Sequence, residues 1–290
     1  FRHTRKKLYA LVRKNSLTIE EEFILTEVDY VLPTDYVVVT KGNRVATIEL
    51  NRPESLNAFN KQLLKSLIKA LKQISMDDSV DIVVLKGAGN AFSSGGDIKV
   101  MVESNDEQEF FGLMDYIHDL AVTLYCLPKL TICAIHGAAA GLGLSVALAA
   151  DYIIADRDAK IAMNFIGIGL IPDCGGHFFL SQRVGDAKAK EIIWGGKVMS
   201  APEAKQNHLI NEVAEYSLDD AVNVKISTWL HSPTKAMIRT KKILAEGNRP
   251  FLIKMLELEK HGQLKIRKTK DHREGIQAFI EKRKPNFIGE

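Results

Sequence analysis

The chain has only three cysteines in 290 residues, Cys126, Cys133 and Cys174. They are too few and too unevenly spaced for a disulfide framework or a Cys-x-x-Cys metal site, and a reducing, cytoplasmic setting is expected. Long hydrophobic runs are also lacking. The most apolar stretch, Leu130 to Ala155, is broken by His136, Gly137, Gly141, Gly143, Ser145 and Asp151, so it reads as buried core and no membrane span is expected. No Gly-x-Gly-x-x-Gly follows a strand, Gly196-Lys197 leads into Val198 where a P-loop requires Ser or Thr, and His-Glu-x-x-His is absent. Dinucleotide, P-loop and zinc-hydrolase chemistries lose their signatures, and no metal is expected. Zinc-finger spacing and aromatic-basic RNA signatures are missing too, so nucleic acid is not an expected partner.

What remains is a globular composition, 46% hydrophobic and 26% charged, long enough for one large domain or two ordinary ones. The net charge of +3 is unevenly placed. Arg2, Arg5, Lys6, Lys7, Arg13 and Lys14 crowd the first fourteen residues without an acid, and the rest of the chain is slightly acidic. Residues 1–33 are expected to be a basic N-terminal extension outside the core.

Tyr36 to Thr40 and Val45 to Leu50 are β-rich runs joined by Lys41-Gly42-Asn43-Arg44, a hairpin signal. From Asn60 to Ser75, Leu63, Leu64, Leu67, Ile68, Leu71 and Ile74 recur at helical spacing with lysines opposite. A strand at Asp81 to Lys86, a helix from Glu107 to Leu124, a strand at Thr131 to Ile135 and a small-residue helix from Ala140 to Ala149 follow, then strands at Tyr152 to Ala155 and Lys160 to Met163. This alternation predicts an α/β fold with right-handed helical crossovers. After Asp186 helices dominate: Ala187 to Trp194, Ala201 to Gln206, Leu218 to His231, Pro233 to Glu246, Pro250 to Thr269 and Asp271 to Arg283. Residues 34–185 are thus expected to form the α/β core, and 186–290 a helical C-terminal and oligomerisation subdomain.

Gly143-Leu144-Ser145-Val146-Ala147 approximates a nucleophile elbow, but Ser145 falls inside the predicted helix and reads as a small core-facing residue. Two glycine-rich turns carry more. Ala91-Phe92-Ser93-Ser94-Gly95-Gly96-Asp97-Ile98 and Ile135-His136-Gly137-Ala138-Ala139-Ala140-Gly141-Leu142-Gly143 each place side-chain-poor backbone just beyond a strand. Such turns pack tightly, and their N–H groups can also cradle an anion or a developing oxyanion.

These segments, with Asn51-Arg52-Pro53, Leu56-Asn57-Ala58, Gly169 to Gly176 (GLIPDCGG) and Glu274 to Phe287 (EGIQAFIEKRKPNF), resemble the crotonase superfamily, the enoyl-CoA hydratase/isomerase family, over Tyr36 to Phe287. The resemblance implies a ββα superhelix enclosing an acyl-CoA thioester site, assembled as a homotrimer or a dimer of trimers. Coenzyme A is then part of the substrate and no separate cofactor is needed. Motif matching implies that the N–H groups of Gly96 and Leu142 form the oxyanion hole, and that Ala58, Ser94, Asp97, Ile98, Lys99, Gly141, Ser145 and Phe165 contact the substrate. Arg52, Lys99, Lys282, Arg283 and Lys284 are placed as phosphate partners by location alone.

The acid-base groups depart from the hydratase pattern. Where hydratases of the family carry two glutamates, matching places Ser145 and Phe165, neither of which can activate water. Asp173 is the carboxylate left in this region. Read alone it is an N-cap for the apolar run from His177 to Leu180. GLIPDCGG, however, is similar to the isomerase branch, in which an acidic residue here is the base, and Asp173 becomes the implied proton shuttle; His177, four residues on, reads either as its orienter or as a surface helix histidine. The expected reaction is a double-bond shift in an unsaturated acyl-CoA through a dienolate. A hydratase with relocated carboxylates, a 3-hydroxyacyl-CoA thioesterase and a non-catalytic acyl-CoA-binding protein are the competing readings.

Overall fold

A computed structural model describes residues 32–98 and 106–290. The basic arm and Lys99 lie outside the described residues. The main sheet has seven strands in the order β1 (Leu32–Thr34), β2 (Val37–Gly42), β3 (Val45–Leu50), β4 (Ile82–Gly87), β5 (Leu130–Ile135), β7 (Tyr152–Ala155) and β10 (Glu212–Val213). It is antiparallel up to β3 and parallel from there. The β2–β3 hairpin is tighter than the sequence suggests. Gly42 pairs with Val45, so the turn is Asn43-Arg44 alone, both at positive φ (48° and 66°), as a two-residue hairpin of the favoured twist requires.

Helix α1 (Lys61–Ser75) forms as its periodicity predicts. The Asn60 side chain accepts the Leu63 N–H at 2.9 Å, and Leu63, Leu64, Leu67, Ile68, Leu71 and Ile74 are buried. Because strand side chains alternate, the sheet has two apolar faces. Val83, Leu85, Cys133, Ile135 and Ile153 join a large core with α1, α2 (Glu107–Tyr125), α3 (Leu142–Leu148) and α4 (Gly176–Gly195). Ile82, Val84, Ile132, Ala134 and Ile154 face the other way, against α6 (Leu218–Leu230) and the start of α7 (Thr234–Ile266).

A second ladder positions the site. Strands β6 (Ala138–Ala140), β8 (Lys160–Ala162) and β9 (Val198–Ser200) pair side by side, and parallel bridges carry the ladder back from Ala139 to Ser93, and from Gly96 to Phe59. Each crossover therefore visits the main sheet, then the second ladder, then a helix, which is the ββα superhelix the resemblance implies. The predicted helix at Ala140 is preceded by β6, because Ala138 to Ala140 is recruited by Lys160 to Ala162.

The C-terminal third is mainly helical, but β9 and β10 return from it to both ladders. α4 begins at Gly176, eleven residues before the predicted start at Ala187, and is bent at Gly185 (φ 76°, ψ 160°). The two helices predicted around Pro250 are one, α7, of 33 residues. Proline removes one helical N–H, and here Pro250 lies on the exposed side, where the carbonyl it leaves free can face water. α5 (Ala201–Gln206) and α8 (Lys270–Ile280) complete the chain. Among the described residues no helix is long and apolar enough to cross a membrane, and no group of three or more His, Cys, Asp or Glu is poised to hold a metal ion.

Candidate functional site

The two glycine-rich turns lie against each other in the second ladder. Ser93 N–H donates to Ala138 O (2.9 Å) and Ala140 N–H to Ser93 O (3.0 Å). A Cβ on Gly143 would stand 2.7 Å from Ser93 Cβ, so only glycine permits this approach. The bridge between Phe59 and Gly96 runs through Gly95 O and Asp97 N–H (2.7 and 3.0 Å). Gly96's own N–H therefore points to the other side of that strand. Leu142 is the first residue of α3, behind Gly141 (φ 50°), which supplies no side-chain cap, so its N–H is among the donors a helix leaves unpaired. A Cβ on Gly95 would be 3.7 Å from Leu142 N, which fixes how closely the turns meet.

The first turn is braced by the Asn51-Arg52-Pro53 and Leu56-Asn57-Ala58 segments. Fully buried Asn57 donates to Ala88 O and Ala91 O (2.9 and 2.7 Å) and accepts the Arg52 N–H at 2.8 Å. The Arg52 guanidinium holds the Ala58 carbonyl and pairs with Asp97 at 3.1 Å. Arg52 and Asp97 are thus committed to each other. Ser94 is exposed, its N–H on Leu56 O, and Ile98 is half-buried.

Beyond the second turn, the Phe165 ring lies 3.8 Å from where a Gly141 Cβ would be, and Phe165 O accepts the Leu170 N–H at 3.0 Å. Ser145 is fully buried, its hydroxyl 3.9 Å from Met163 Sδ and close to Gly176. Leu170 and Asp173 enter the wall of an apolar pocket with Phe110, Leu113, Met114 and Ile117 of α2, while Lys61, Glu109, Gln263 and Arg267 add polar groups. Gly96 and Leu142 are not in that wall. Phe165 and Leu170 connect the two regions.

Asp173 is not the cap of α4. Gly175 occupies the cap position, and Gly176 N–H reaches the backbone carbonyl of Asp173 (2.9 Å), not its side chain. The Asp173 side chain is buried, with Oδ2 3.4 Å from Gln263 Nε2 and Oδ1 without a partner among the described residues. Burial, and then the negative charge of Glu259, push its proton affinity well above the usual carboxylate range.

The cap comes from 84 residues away. Buried Glu259 of α7 accepts the Gly175 N–H (2.8 Å), the His177 N–H (3.1 Å) and the His177 ring at Nδ1 (2.8 Å). His177 therefore orients Glu259 and not Asp173, a correction to its expected role. Residue-level reading missed Glu259 and Gln263. Their i, i+4 spacing on α7 is the one signal in the sequence, and it says nothing about which helix end they meet. Of the phosphate candidates, Arg283 is engaged by Glu274 (2.9 Å), while Lys282 and Lys284 are exposed near the C-terminus.

Comparison with known proteins fits this geometry. The family model described as Enoyl-CoA hydratase/isomerase matches residues 40–290. The Bacillus subtilis protein YhaR, named for the enoyl-CoA hydratases/isomerases, is 46% identical over 253 residues, 87% of this chain and 99% of its own. The 1,2-epoxyphenylacetyl-CoA isomerase of Escherichia coli is 35% identical over 92% of this chain and 99% of its own. Among solved structures, an enoyl-CoA hydratase from Mycobacterium avium subsp. paratuberculosis superposes with a TM-score of 0.79 at 29% identity, covering 88% of this chain and all of that one. Sequence, ladder topology and paired turns agree, and the chain belongs to the enoyl-CoA hydratase/isomerase family.

Proposed function

We propose that the protein is an acyl-CoA isomerase of this family, shifting a C3=C4 double bond to C2=C3 with Asp173 as the single proton shuttle. One observation carries the reading: the pocket holds a buried carboxylate of raised proton affinity, while Ser145 and Phe165 stand where hydratase glutamates are matched. Asp173 takes the C2 proton, and the C–H electrons move into a dienolate whose oxygen is held by the Gly96 and Leu142 N–H groups. The protonated carboxyl then delivers that proton to C4, leaving the conjugated thioester. One carboxylate suffices because the proton removed is the proton returned. Apolar walls from Phe110, Leu113, Met114 and Ile117 suit a hydrocarbon acyl chain and keep water from the product.

The second acid a hydratase needs is not supplied by Glu259, which is spent on the start of α4. The relationship to a 1,2-epoxyphenylacetyl-CoA isomerase supports an isomerase, whereas hydratases stand at similar distance. The test is a parallel assay of 3-enoyl-CoA, crotonyl-CoA and 3-hydroxyacyl-CoA on wild type and Asp173→Asn. Isomerisation should dominate in wild type and fall at least about 100-fold in Asp173→Asn. Faster hydration than isomerisation, thiol release, or an active Asp173→Asn enzyme would each reject the assignment.

A further inference from the structure

We propose that Gln263 is the positioning residue of Asp173: its side-chain amide holds Oδ2 and so presents Oδ1 to the substrate proton. The inference rests on the reading of Asp173 as the base. Gln263 is buried, and its one NH2 group donates both to Ile171 O (2.6 Å) and toward Asp173 Oδ2 (3.4 Å). The amide thus ties both ends of Ile171-Pro172-Asp173 to α7. The segment needs an outside tether. Pro172 has no N–H, and Cys174 and Gly175 both have positive φ (55° and 75°), so no helix or strand fixes the direction of the Asp173 carboxyl.

The preceding residue leaves room beside the contact: a Cβ on Gly262 would meet the tip of the Ile171 side chain, Cδ1, at 2.6 Å, and with glycine there that side chain need not turn away. With Oδ2 held, Oδ1 is the oxygen without a partner among the described residues, in a residue that lines the pocket. The same amide serves both halves of the cycle, because Oδ2 accepts whether the carboxyl is ionised or carries a proton on Oδ1. Among the described residues, the other charged or titratable groups around Asp173 are Glu259 on α7 and Arg267 at its C-cap, Lys61 on α1, Glu109 on α2, and the neighbouring Cys174 and His177. Among the described residues, Gln263 is the one whose side chain donates to the carboxyl.

The experiment is Gln263→Met, which keeps length and burial but removes the donor, with Gln263→Asn as a polar variant too short to reach. Both are assayed with 3-enoyl-CoA across pH beside Asp173→Asn. Expected is a fall in kcat of about 10- to 100-fold, as for a misplaced reacting group, with KM within about threefold. Losing a donor to the ionised form should also move the acid limb of kcat/KM to higher pH. A role in folding alone would lower the melting temperature without moving that limb. Wild-type kcat and acid limb in either folded variant, with Asp173→Asn inactive, overturn this inference alone. An active Asp173→Asn enzyme, or wild type that does not isomerise, overturns the base assignment and this inference with it.

Discussion

Asp173 and Glu259 are both buried carboxylates, but Glu259 is surrounded by donors while Asp173 has one long contact through Oδ2. That contrast sets the pH behaviour. Folding raises the proton affinity of Asp173 above its unfolded value, so its contribution favours the fold below the ordinary carboxylate range and is lost as pH rises through the raised folded value. Asp173→Asn cannot ionise and retains an acceptor for Gln263. Its melting temperature should therefore exceed that of wild type at alkaline pH, with the gain shrinking as pH falls; a pH series of thermal melts tests this. Glu259→Gln removes the neighbouring charge that helps hold the Asp173 proton, so the acid limb of kcat/KM should move to lower pH, opposite to the shift expected for Gln263→Met.

At the scale of elements, the paired turns depend on one close contact and the start of α4 on one distant side chain. Gly143→Ala forces a methyl into Ser93, whose Cβ, O and Oγ are all within 2.8 Å of that position. The turns must separate, and turnover should drop by about 100-fold in a folded protein, as when an oxyanion donor is lost. Glu259→Ala strips acceptors from two N–H groups and the His177 ring. At about 1–3 kcal/mol for each buried donor left unpaired, a lower denaturation midpoint is the expected result. The contrast between these features explains what sequence could reveal. α1 was legible because its cap and apolar stripe lie within fifteen residues, and the glycine turns because each follows its strand directly. The Glu259 cap, the Gln263 amide and the short strands β6, β9 and β10 were not, since each is completed by residues far along the chain. Pro250 misled for a related reason: tertiary contacts of Ala245, Leu252 and Leu256 carry α7 through it.

Taken whole, the molecule leaves Ile243, Leu244, Phe251, Ile253 and Leu258 of α7, and Phe279 and Ile280 of α8, exposed. Exposed large apolar side chains on two helices are the kind of surface that a second copy of this chain would cover. Sedimentation at micromolar concentration should accordingly give a mass well above the 32.3 kDa of one chain, and a monomer would contradict self-association.

α7 has a further consequence. At 33 residues it is about 50 Å long, with Met237 and Ile238 against one face of the sheet and Leu252 and Leu256 in the core on the other. The strands that precede it are laid down almost in chain order, so a chain emerging from the ribosome can assemble most of its sheet first. Glu259 and Gln263 follow their partners Gly175 and Asp173 by 84 and 90 residues. Until α7 has formed, the start of α4 lacks the Glu259 acceptor and Asp173 lacks its Gln263 contact, so one later helix completes two features of an earlier segment.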